Sequence, residues 1–193
     1  MNLVRNQLIY LTGQSDPRRC GLSVLQHDFG TRLAAALGCS LHPQNFPWFA
    51  ELLDDPAELA MQSARAGIVR ASWHNARQFL ATQRSGFAAR WADAWPRLQA
   101  QAGCTFVLAG SCGLALLAAL RPSAESLRHI RVFAYGPVTH WLLPVPTLLV
   151  QGRRDPWSRF FVPHPDAFVA GSHLDYLADP AVWTLARDWF SAA

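Results

Sequence analysis

Apolar positions along the chain alternate between runs of strand length and helical spacing, and this alternation predicts the architecture. Gln7 to Thr12 (QLIYLT) is a short apolar run that stops at Gly13, as a buried strand would. Beyond the polar stretch Gln14-Ser15-Asp16-Pro17, residues Leu22, Leu25, Phe29, Leu33 and Leu37 recur at three- and four-residue steps, which predicts a helix with one buried face. Gly38 follows, where a helix stops readily. Ser40 to Phe46 predicts a second strand, closed by Pro47. Strand, helix and strand at this spacing predict a βαβ unit and therefore parallel pairing.

From about Asp54 to Ala102 the pattern is helical, with Asp54-Asp55-Pro56 as its start and Gly86 and Pro96 dividing it. Its aromatic residues (Trp73, Phe79, Phe87, Trp91, Trp95) suit helices packed on a sheet, with a lid over a site as the alternative. Further strands are predicted at Cys104–Ala109, Ile130–Tyr135 and Pro146–Gln151, with a weak one at Ala167–Ala170. Helices are predicted at Leu114–Leu120 and Ala181–Phe190, the latter placing Val182, Leu185, Trp189 and Phe190 on one side. Continued alternation without a repeat or linker predicts a single domain over 1–193. It would be an α/β three-layer sandwich, a mostly parallel sheet with helices on both faces. A helical insertion at about 48–86 would be the element placed to cover a site.

Composition narrows the chemistry. The 193 residues are 51% hydrophobic and 16% charged, which excludes a mainly disordered chain. No stretch reaches the roughly 18 uninterrupted apolar residues of a membrane span. The 17 cationic residues are all arginine, so no lysine-based catalysis is available. They are dispersed, with adjacent pairs only at Arg18-Arg19 and Arg153-Arg154, so the net charge of +4 does not predict a nucleic-acid partner. Cys20, Cys39, Cys104 and Cys112 show no CxxC spacing, and the seven histidines form no HxxxH or HExxH. Neither a metal site nor a cofactor is therefore expected. The start MNLVRNQLIY lacks the features of a secretory signal, so free thiols and a cytoplasmic location are expected.

The segment Phe106-Val-Leu-Ala-Gly-Ser-Cys-Gly-Leu114 is the most informative. A nucleophile on a sharp strand-to-helix turn needs small residues two positions before and after it, because those side chains otherwise collide. Ser111 has Ala109 and Gly113 there; Cys112 would have Gly110 and Leu114, and leucine is too large. The sterics favour Ser111 over Cys112. Here the chain resembles the α/β-hydrolase fold superfamily through an Ala-Gly-Ser-Cys-Gly version of its G-x-S-x-G elbow, with alanine in place of the first glycine.

The resemblance extends to two later segments, in the family's order of Ser, acid, His. Val145 to Pro156 looks like the penultimate strand followed by a Gly-x-x-Asp-Pro turn, which maps the acid onto Asp155 rather than Glu125 or Asp166. Ala170 to Pro180 looks like the histidine loop and maps the base onto His173, with His164 as its competitor and Ser172 where the family often has Gly. The family's oxyanion hole would take backbone N–H groups from Cys112 and, by position only, Gln14. Full-size members carry two extra strands at the start and often a lid after the sixth strand, and this chain has room for neither. The resemblance thus implies a minimal α/β-hydrolase fold.

The implied activity is a serine hydrolase that cleaves a small-molecule carboxylic ester or thioester through an acyl-enzyme, without metal or cofactor. The aromatics Phe46, Trp48, Trp141, Trp157 and Phe160 suggest an apolar acyl or aromatic group, with Trp48 and Trp157 the named substrate contacts. Acyl transfer by the same triad and a non-catalytic binding module are the alternatives. Oligomeric state is not legible.

Overall fold

Runs that are apolar on both sides become interior strands. The structure, a computed structural model, describes residues 6–13, 20–48, 80, 86–100 and 102–192. In chain order its elements are β1 (Gln7–Leu11), α1 (Val24–Leu37), β2 (Ser40–Phe46), α2 (Gly86–Arg90), α3 (Ala94–Gln99) and β3 (Thr105–Gly110). They continue as α4 (Gly113–Ala119), α5 (Ala124–Leu127), β4 (Ile130–Tyr135), β5 (Thr147–Gly152), α6 (Pro156–Phe161) and β6 (Ala167–Val169). A 3-10 turn (Tyr176–Ala178) and α7 (Pro180–Ser191) complete the chain. All residues of β1 and β3 are buried, as expected of strands covered by helices on both faces.

The six strands form one sheet in the order β2-β1-β3-β4-β5-β6, every pair parallel. Side-chain alternation along each strand divides the core in two. Ile9, Leu11, Val107, Ala109, Val132 and Ala134 point to one face and pack with Trp91, Trp95, Leu98, Leu114 and Leu117 of the α2–α3 segment and α4. Leu8, Tyr10, Phe106, Leu108, Phe133 and Tyr135 point to the other, against Phe29 and Leu33 of α1 and Val182, Ala186 and Phe190 of α7. The protein is a three-layer α/β sandwich.

Local signals placed several element ends. Ser23 caps α1 in a reciprocal box with Gln26, and Gly38 ends it at φ +63°. Pro96 does not divide helices as expected. It lies in the first turn of α3, where its missing N–H removes no intrahelical bond; the break falls at 91–93 instead. The Asp155-Pro156 pair, expected as a turn, opens α6, with Asp155 as cap and Pro156 as first residue. Most of the expected insertion at 48–86, including Trp73 and Phe79, lies outside the described residues. None of the described helices is long and apolar enough to cross a membrane.

Strand order also places the site. β1 has β2 on one side and β3 on the other, so the loops leaving the C-terminal ends of β1 and β3 diverge. In open parallel sheets such a switch point opens a crevice for ligands.

Candidate active site

The first component is the turn between β3 and α4. Ser111 sits there at φ +52°, a left-handed conformation that a non-glycine residue adopts at a cost. Two hydrogen bonds hold it: the Ser111 N–H donates to the Tyr135 carbonyl (3.2 Å), and the Val138 N–H donates to the Ser111 carbonyl (2.8 Å). The small flanking residues have an identifiable reason. A Cβ on Gly113 would run into the Leu11 carbonyl oxygen of β1 and lie 3.1 Å from the Ala109 Cβ. A Cβ on Gly110 would meet the Tyr135 ring at 2.6 Å.

Gly113→Ala is accordingly expected to destabilise the fold by about 1–3 kcal/mol, because the obstacle is backbone and cannot swing aside. Gly86→Ala, where an added Cβ meets nothing within 4 Å, is the control and is expected to be neutral. Urea unfolding midpoints of the two variants check the difference; equal midpoints would refute the steric reading of the turn.

Cys112 is 1% exposed, and burial pushes its thiol up to about 12 despite hydrogen bonds from the backbone of Cys112 and Gly13. It is a buried neutral thiol at ordinary pH, whereas Ser111 keeps some exposure. The contact with Gly13 brings the loop after β1 against the elbow. Gln14, named from position as a second oxyanion donor, lies outside the described residues.

The other components arrive on loops at the same edge of the sheet. Asp155 follows β5 and is fully buried; His173 follows β6, its side chain 23% exposed. His173 Nδ1 lies 2.8 Å from Asp155 Oδ2, and His173 Nε2 lies 3.1 Å from Ser111 Oγ. Three residues separated by up to 62 positions thus form one continuous hydrogen-bonded chain. The competing carboxylates are engaged elsewhere, and the competing histidine lies apart. Glu125 pairs with Arg128 at 3.1 Å, and an Asp166 carboxylate oxygen accepts the Leu149 N–H at 2.7 Å. His164 is exposed between α6 and β6.

Asp155 has further donors. The Ser158 N–H of α6 donates to Oδ1 (3.1 Å), and the Tyr176 hydroxyl donates to Oδ2 (2.7 Å). Burial by itself would raise the Asp155 carboxyl. The hydrogen bonds from His173, Ser158 and Tyr176, together with attraction to His173, outweigh it and hold the group below its ordinary value of 3.8. An ionised carboxylate only accepts hydrogen bonds, so His173 carries its proton on Nδ1. Nε2 is then free to accept from the Ser111 hydroxyl.

The expected substrate aromatics separate into two groups. Trp48 is 6% exposed; its ring packs edge-on against Phe87 and Trp91, and its Nε1–H donates to the Thr12 carbonyl at 2.9 Å. Phe46 is wholly buried against Trp95. Both are committed to the interior, and Trp48 supports the end of β1. Asn45 braces the same point, where its side chain accepts the Thr12 N–H and donates to the Thr12 carbonyl, each at 2.9 Å. Trp141, Trp157 and Phe160 are exposed instead, on the segment after β4 and on α6.

No protein-family model matches this chain, and no curated protein sequence matches it at a significant level.

Proposed function

We propose that this protein is a serine hydrolase of the α/β-hydrolase type, acting on a carboxylic ester or thioester. The observation that carries the reading is the hydrogen-bonded chain Ser111 Oγ–His173 Nε2, His173 Nδ1–Asp155 Oδ2. Its support is that the three residues follow β3, the penultimate strand and the last strand, in the order Ser, Asp, His.

In this mechanism Ser111 Oγ attacks the substrate carbonyl while His173 Nε2 takes the hydroxyl proton. The tetrahedral oxyanion is stabilised by the Cys112 N–H, at the N-terminal cap of α4, where backbone N–H groups lack intrahelical partners. His173 passes the proton to the departing alcohol or thiol, leaving Ser111 acylated. Water attacks the acyl-enzyme, giving its proton to the same nitrogen, and Ser111 leaves with that proton as the acid departs. Asp155 holds the imidazole in the productive tautomer and stabilises its cation throughout. The exposed Trp157, Trp141 and Phe160 supply apolar surface for an acyl or aromatic group.

The test is covalent labelling with a fluorophosphonate, followed by mass mapping of the modified peptide. An adduct on Ser111 is the expected result. Folded protein that takes no label, or label on Cys112, would overturn the proposal.

A further inference from the structure

We infer that Tyr176 is a positioning residue for the acid–base pair, fixing the direction of Asp155 Oδ2 and moderating the carboxylate's pull on His173. This inference rests on the hydrolase reading above for its catalytic meaning. Its geometric basis is independent of any substrate.

Tyr176 is 2% exposed, and its hydroxyl oxygen bridges two groups: it accepts the Gly152 N–H at 2.6 Å and donates to Asp155 Oδ2 at 2.7 Å. The same oxygen of Asp155 accepts from His173, while Oδ1 is occupied by the Ser158 N–H. Oδ2 therefore divides its charge between a neutral donor and the imidazole. Tyr176 stands three residues after His173, so one loop is tied to one carboxylate oxygen by two side chains at once.

The ring's seat is built for it. Gly136 at φ +55° leaves room where a Cβ would lie 2.6 Å from the Tyr176 ring and 3.1 Å from Asp155 Oδ2. At Gly152 a Cβ would meet the Gly171 carbonyl oxygen and lie 3.0 Å from the Tyr176 hydroxyl. The ends of β4 and β5 thus both yield space at this point.

The Ser158 side chain of α6 also reaches the hydroxyl as a hydrogen-bond partner, and the titratable groups packed about it are few. Asp155 faces it from the β5–α6 turn and His173 from its own loop, and Tyr135 of β4 packs on its ring at 5.9 Å between centroids. Arg154 directs its Nε to the Ala170 carbonyl, and Asp175 accepts a hydrogen bond from the Ser172 hydroxyl. Neither has a hydrogen bond to the hydroxyl or to Asp155 Oδ2. Removing the hydroxyl leaves the Asp155 charge with one donor fewer, which strengthens its hold on a protonated His173.

Two substitutions of opposite sign test this, read by proton NMR titration of the His173 ring in Ser111→Ala protein. Tyr176→Phe is expected to raise the His173 pKa by roughly half to one unit, a fraction of one hydrogen bond to a charged group, because only its difference between the two protonation states of His173 is read. Incorporating 3-fluorotyrosine at position 176 makes the hydroxyl a stronger donor without changing the ring's seat, and is expected to lower it. The fluorotyrosine arm decides the matter if the phenylalanine variant does not fold. With Ser111 restored, the acid limb of the pH–rate profile for fluorophosphonate labelling is expected to move in the same directions. A purely structural tyrosine would change unfolding midpoints and leave both profiles where they were. An unmoved His173 titration in folded protein overturns the inference. Shifted titrations without any labelling would leave the Tyr176 linkage standing and remove the hydrolase reading; labelling without shifts would do the reverse.

Discussion

Ser111→Ala is expected to reduce turnover of an activated aryl ester by about 10⁶-fold, because the nucleophile and its base act as a unit. In the proposed mechanism the Cys112 N–H and the apolar substrate surface survive the change. A residual acceleration over water of roughly 10³–10⁴-fold is therefore expected, rather than none. The variant should fold normally, since Ser111 is only partly buried and its backbone hydrogen bonds to Tyr135 and Val138 do not use the side chain. Alanine must still adopt φ +52°, so a small loss of stability is compatible with the reading. Steady-state kinetics beside an unfolding curve separates the two effects. Activity kept within tenfold of the parent protein would exclude Ser111 as the nucleophile.

Asp155→Asn is expected to lower the same rate by about 10⁴-fold, through the tautomer of His173. Three donors converge on the two oxygens of Asp155. An amide supplies one oxygen and one NH₂ group. If its oxygen keeps the Ser158 N–H, the NH₂ faces His173 Nδ1. The imidazole must then accept there and carry its proton on Nε2, where it can no longer take the Ser111 proton.

The same substitution has a signature in acid stability. The folded Asp155 carboxyl lies below 3.8, so between the two values the unfolded chain binds more protons than the folded one. The stability it contributes is complete above the unfolded value, and it is lost as pH falls through that value toward the lower folded one. Urea midpoints measured at about pH 5 and pH 3 should fall more steeply for the parent protein than for Asp155→Asn. Equal slopes would show that the carboxylate gains nothing from its partners in the fold.

Much of the fold was legible because its signals are local. Ile130–Tyr135 and Ser40–Phe46 are strands with the predicted bounds, the first from its apolar run and the second from its place between Gly38 and Pro47, and Gly38 ends α1 in the left-handed conformation that suits glycine. The small residues around Ser111 were legible for the same reason. Ala109 and Gly113 are four residues apart and face one another across a single turn. Pro96 was misread because a proline stops a helix or starts one depending on a shift of a few residues, and the flanking sequence did not discriminate. Trp48 and Phe46 looked available to a ligand only while their partners were unknown. Trp91, Phe87 and Trp95 lie about forty or more positions later in the chain.

Tyr176 was not legible as part of the site. A lone tyrosine near a terminal helix has the composition of an ordinary core residue. Its meaning comes from Gly152 and Asp155, more than twenty residues earlier. The spacing of three residues from His173 was the available signal, but it carries no information about which way either side chain points.

By itself, the sequence determined an alternating α/β chain, a parallel sheet, a sterically constrained turn at Ser111 and the order in which serine, acid and histidine occur. The first three follow from local spacings, and the last is read directly along the chain. The order β2-β1-β3-β4-β5-β6, the switch point between β1 and β3, and the meeting of Ser111, Asp155, His173 and Tyr176 were decided by tertiary structure alone. Parallel pairing puts every strand's C-terminal end at one edge, but which loops become neighbours depends on long-range register. Burial then makes the choice binding, because an enclosed carboxylate is stable only where donors from distant segments surround it.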